Sequence, residues 1–80
     1  MKTRRQAFAA HTGMSIEETK DYRYHYGRTT APVWSIDNSY YCVTKSHQKP
    51  ATHRDGMQWD WVKLTDNYCA AYGFEIWISN

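Results

Sequence analysis

VWSIDNSYYCVTK, residues 33–45, decides how this chain folds. Val33 to Ile36 and Tyr40 to Thr44 are rich in β-branched and aromatic residues, which suit a pleated, half-buried surface. Asp37 and Asn38 stand between them, and both tolerate the left-handed backbone angles that a two-residue turn demands. The stretch therefore reads as a β-hairpin. Pro32 marks the entry to its first strand, because a proline has no N–H to give to a ladder.

Working outward, FEIWIS, residues 74–79, alternates Phe74, Ile76 and Ile78 with Glu75, Trp77 and Ser79. That period predicts a third strand with the first set inward and Trp77 outward. The preceding WDWVKLTDNYCAAYG could begin as a strand at Trp59, but Trp61, Leu64, Tyr68 and Ala71 fall three to four residues apart. This spacing predicts a helix from about Asp60 to Tyr72, stopped by Gly73. Residues 46–57, SHQKPATHRDGM, lack any period and read as a polar, basic loop.

At the other end, TRRQAFAAHT, residues 3–12, predicts a helix with Thr3 as its cap and Gln6 as the capping-box partner. Ser15 and Glu18 repeat that box and open a second helix, expected to run to about Tyr22 or Tyr24. The expected fold is a single α+β domain over residues 1–80. A small three-stranded antiparallel sheet, hairpin 33–45 plus strand 74–79, packs against two or three short helices.

Composition bounds the class. Aromatic residues make up 16% of the 80 positions, so large rings supply the bulk that few aliphatic side chains leave missing. A formal net charge of +2 permits an anionic partner without demanding one. Cys42 and Cys69 are too few for a disulfide framework, although a single bridge between them stays open. MKTRRQAFAAHTG carries no apolar run of signal-peptide length, and no stretch approaches the ~20 apolar residues of a membrane span. These features lead to the expectation of a cytoplasmic protein with reduced thiols and no membrane association.

Several stretches invite a functional reading. Ala9-x-x-x-Gly13-Met14-Ser15 resembles the helix-turn-helix of bacterial repressors. The second helix, however, would bring Glu17 and Glu18 to the groove, where phosphates repel them, and a hairpin follows where a third helix belongs. A helical corner packed on the sheet is the expected outcome. DYRYHYGR, residues 21–28, interleaves Tyr22, Tyr24 and Tyr26 with Arg23, His25 and Arg28, as an interface for protein or nucleic acid would. KSHQKPATHR concentrates Lys45, His47, Lys49, His53 and Arg54, and joins Arg23 and Arg28 in one basic patch if the fold brings them together. Cys42, His47, His53 and Cys69 follow the spacing C-x4-H-x5-H-x15-C, which matches no zinc module. No histidine sits near an evident nucleophile, and no phosphate-binding glycine loop is present in the sequence. The expectation is a protein without metal, cofactor or enzymatic activity.

EETKDYRYHYGRTTAPVWSIDNSYYCVTK, with the ending YGFEIWIS, resembles in style the small accessory proteins encoded by bacteriophages. Several kinds of these bind a host polymerase, nuclease or anti-phage defence complex and block it. The resemblance implies a small binding protein that inhibits or modulates a host protein or protein complex. The expected state is a monomer or a homodimer, the latter because an outward Trp77 on a possible edge strand invites pairing. The resemblance transfers no functional residue. The residues themselves nominate Tyr24, Arg28, Lys45, His47, Lys49, His53, Arg54 and Trp77 as the contact set. A small nucleic-acid-binding module using the same basic, aromatic surface is the alternative.

Overall fold

A computed structural model describes residues 3–24, 31–50, 53–54, 57–58, 60–64 and 67–79. In chain order the elements are α1 (Arg4–Thr12), α2 (Ile16–Asp21), β1 (Arg23–Tyr24), β2 (Val33–Ile36), β3 (Ser39–Lys45), β4 (His53–Arg54), β5 (Met57–Gln58), β6 (Val62–Lys63), α3 (Asn67–Ala71) and β7 (Phe74–Ser79). The fold is α+β: the described residues form a five-stranded antiparallel sheet in the order β1-β2-β3-β7-β6, a separate β4-β5 pair and three short helices.

The hairpin forms as its residues require. Asp37 and Asn38 take φ of 49° and 66°, the left-handed pair of a tight turn, and Ile36 faces Ser39 across it. Strand β7 lies against the far side of β3, with Val43 opposite Ile76 and Cys42 opposite Trp77. The three strands expected from the sequence are thus the centre of the sheet.

Both outer strands correct the reading of the sequence. Residues 60–64 are not helical: β6 pairs Val62 with Ile78 and Lys63 with Trp77, and the Leu64 amide donates to Ile76 O at 2.6 Å. Helix α3 is confined to Asn67–Ala71, so Trp61 and Leu64 do not share its face. At the opposite edge α2 stops at Asp21, and Arg23 and Tyr24 pair with Trp34 and Val33. The physical reason is common to both. A three-stranded sheet leaves two rows of backbone donors and acceptors open, and pairing them outweighs a weak local helical period.

The helical corner is built by its caps. Thr3 accepts from the Gln6 amide at 3.1 Å while the Gln6 side chain accepts from the Thr3 amide at 3.0 Å. Ser15 and Glu18 repeat this at 3.1 and 3.2 Å. Between the helices Gly13 takes φ of 78°, which its missing Cβ makes cheap, and its amide closes on Ala9 O at 2.9 Å. Helix α2 has six residues and leads directly into a strand, so this is a corner on a sheet and not a repressor motif.

The sheet is covered on both faces. On one, Ala7, Phe8, Trp34, Val43, Cys69 and Ile76 form an apolar cluster beneath α1 and α3. Phe8 stacks on Trp34 with ring centroids 4.3 Å apart and planes 9° from parallel. The Trp34 indole donates to Thr19 O at 3.0 Å, which pins α2 to the sheet. On the other face Ala31, Val33, Cys42 and Trp61 are buried together, with Tyr24, Tyr40 and Trp77 packed against them. Cys42 and Cys69 therefore lie on opposite faces of the sheet, which keeps a disulfide from joining them.

Candidate functional site

The basic segment after β3 is a fixed turn. The Ser46 amide donates to Gly73 O at 2.8 Å, and the Gln48 amide donates to Lys45 O at 3.1 Å. His47 takes φ of 65°, a left-handed conformation uncommon for a residue with a Cβ. The His47 amide is bonded to Glu75. This carboxylate, on the second face of β7, is only 7% exposed and accepts the His47 amide at 3.0 Å. Lys63 Nζ approaches the same oxygen to 3.8 Å from β6.

Lys45, His47 and Lys49 all project to solvent from this turn. Among the described residues no carboxylate forms an ion pair with Lys45 or Lys49. Three cationic or titratable side chains are thus presented on a backbone that a buried acid holds in place. Lys63, with its side chain about half exposed, adds a fourth beside them.

The other residues nominated from the sequence are placed differently. Tyr24 is half-buried on the second face, its ring edge-on to Tyr40 at 5.1 Å. Trp77 lies on that same face, as alternation predicts. It is half-buried there, and its indole donates to the Thr44 hydroxyl at 3.1 Å. It packs with the Trp61 cluster instead of standing out alone. His53 and Arg54 begin the β4-β5 pair, opposite Gln58 and Met57. Arg28 lies outside the described residues.

Arg23 and Lys45, two members of the expected basic patch, do not lie side by side. Arg23 shares a row with Trp34 and Tyr41, whereas Lys45 lies four residues further along β3. Two strand spacings of ~5 Å and four rises of ~3.3 Å put their backbones roughly 16 Å apart.

Arg23 instead belongs to a second basic locus that the sequence did not disclose. Its guanidinium lies over the Trp34 ring at 5.6 Å from the centroid, and Nη1 donates to Tyr24 O and Val33 O at 2.6 and 2.8 Å. Thr3, Arg5, Arg23, Pro32 and Trp34 line an open pocket of about 370 Å³ here. Burial lowers the Arg23 pKa from its ordinary value, the charge of Arg5 lowers it further, and Cys42 acts in the opposite direction. Strand pairing alone gave no hint that α1 and β1 would bring these two arginines together. Arg5 could be flagged only as a cation in the first turn of a helix, where the dipole disfavours it.

Comparison with protein-family models, with curated proteins and with solved structures finds no match to this chain. No described helix is long and apolar enough to cross a membrane.

Proposed function

We propose that this chain is a non-enzymatic binding protein of the kind bacteriophages encode. It docks the basic turn at residues 45–49 on an acidic surface of a host protein or complex and so inhibits or modulates it. The observation that supports this reading is the anchoring of the turn by Glu75. A solvated charge run needs no buried carboxylate and no left-handed His47, whereas a recognition loop gains from both. A backbone fixed before contact adds no ordering cost of its own on binding, so more of the electrostatic attraction from the side chains it carries appears as affinity. Lys45, His47 and Lys49 form the centre of the contact, with His53 and Arg54 following in the chain. A cytoplasmic setting suits the two buried thiols.

The test is capture from a bacterial lysate with tagged protein, with and without nuclease, beside the Lys45→Ala/Lys49→Ala/Arg54→Ala variant. A stoichiometric protein that survives nuclease and is captured about tenfold less by the folded variant supports the reading. Material lost on nuclease treatment moves the assignment to a nucleic-acid-binding module, which would also show affinity falling steeply with salt. Undiminished capture by the variant removes the turn from the interface.

A further inference from the structure

Two guanidinium groups line one pocket, and among the described residues that line it there is no carboxylate to balance their charge. Among the described residues neither Arg5 nor Arg23 forms an ion pair. Like charges repel at short range and gain most from an anion placed between them. The pocket is a built one. Arg23 is held by two carbonyls on one nitrogen and by the Trp34 ring beneath it. Trp34 is fixed in turn by Phe8 and by the Thr19 carbonyl. Arg23 thus presents its remaining N–H groups from a rigid base.

We propose that the pocket lined by Thr3, Arg5, Arg23, Pro32 and Trp34 binds the dianion of a phosphate monoester, with Arg5 and Arg23 as its paired donors. Charge selects this ligand. Two guanidinium groups neutralise a dianion, whereas a carboxylate or a phosphodiester leaves one positive charge over. Geometry agrees, because a phosphoryl group offers three terminal oxygens and accepts two planar forks from different directions. Helix α1 adds its N-terminal end. The capping box uses the amides of Thr3 and Gln6, so the Arg4 and Arg5 amides remain as donors the helix does not consume. A volume of about 370 Å³ is at the small end for ligand sites, as a phosphoryl group with a short substituent requires. The site lies at the β1 edge, away from the basic turn, and does not rest on the function proposed above.

Binding is measured by titration calorimetry on the whole chain at constant ionic strength. The probes are inorganic phosphate, phenyl phosphate and an oligothymidylate lacking terminal phosphates. The expected result is saturable one-to-one binding of inorganic phosphate and phenyl phosphate, with affinity rising as the second ionisation of the monoester near pH ~6 is completed. Arg5→Ala should weaken both by about tenfold or more, the loss of a charge-assisted hydrogen-bond pair. Without phosphate the same variant should melt no lower than the parent, since it removes a repulsion. Arg23→Lys keeps the charge without the fork and should also weaken binding. Preference for the oligothymidylate would overturn the assignment in favour of a nucleic-acid backbone. Phosphate binding that Arg5→Ala leaves unchanged, or no saturable binding of either small probe, would overturn it outright.

Discussion

The two faces of the sheet are covered by different means. Beneath α1 and α3 the cover is apolar and stacked, with Phe8, Trp34, Val43 and Ile76 all fully buried. On the opposite face Trp61 and Ala31 complete a smaller cluster over Val33 and Cys42, and polar groups take up the remainder. Thr44, Glu75 and Ser79 are buried there, with Trp77 bonded to Thr44 and the His47 amide bonded to Glu75. The first face stabilises by area removed from water. The second depends on polar groups finding partners, and its hydrogen bonds reach out to fix a surface turn. One sheet thus separates what holds the fold together from what shapes the candidate contact surface.

Unequal losses on truncation are the strongest check on this contrast. Phe8→Ala removes a ring stacked between helix and sheet and should cost ~3–5 kcal/mol by denaturant unfolding. Trp61→Ala should cost at least ~1 kcal/mol less, because a smaller cluster collapses more readily onto the space left behind. Equal losses would mean that the faces contribute alike.

Next in size is the anchor on the second face. Glu75→Ala leaves the His47 amide without its acceptor and should cost ~1–3 kcal/mol, whereas Glu75→Gln keeps an acceptor oxygen and should cost less. If both lose the same amount, attraction to Lys63 and not the His47 hydrogen bond carries the effect. The hairpin turn serves both faces. Asn38→Ala should cost ~1–2 kcal/mol for a left-handed alanine, and Asn38→Gly should be close to neutral in the same unfolding measurement. The smallest effect belongs to a helix cap on the first face. Ser15→Ala should cost ~1 kcal/mol and speed amide exchange in α2 while leaving β6 unchanged. Faster exchange in β6 as well would show that the faces are coupled more tightly than their separate clusters suggest.

Much of the candidate surface was legible one residue at a time. The cluster of cations at residues 45–54 is plain in the sequence, as is the placement of Trp77 opposite Ile76. The fixing of the turn was not legible. Glu75 reads as an outward acid in an alternating strand, and only the cover over the second face makes it a buried anchor. The Arg5–Arg23 pair was hidden for a similar reason, because its members lie on a helix and a strand that no local pattern connects.

By itself the sequence determined the elements whose signals span two to four residues. These are the Asp37-Asn38 turn, the capping boxes at Thr3 and Ser15, the left-handed Gly13 and Gly73, and the alternation of Phe74–Ser79. Each arises from torsion angles and hydrogen bonds between near neighbours, so its cause is contained in the segment that shows it. Only the tertiary structure decided that Arg23–Tyr24 and Val62–Lys63 are strands, that the sheet is covered twice, and that two arginines share a pocket. Those outcomes answer demands made elsewhere in the chain. Open sheet edges need backbone partners, and an apolar second face needs a cover, whichever segment supplies it.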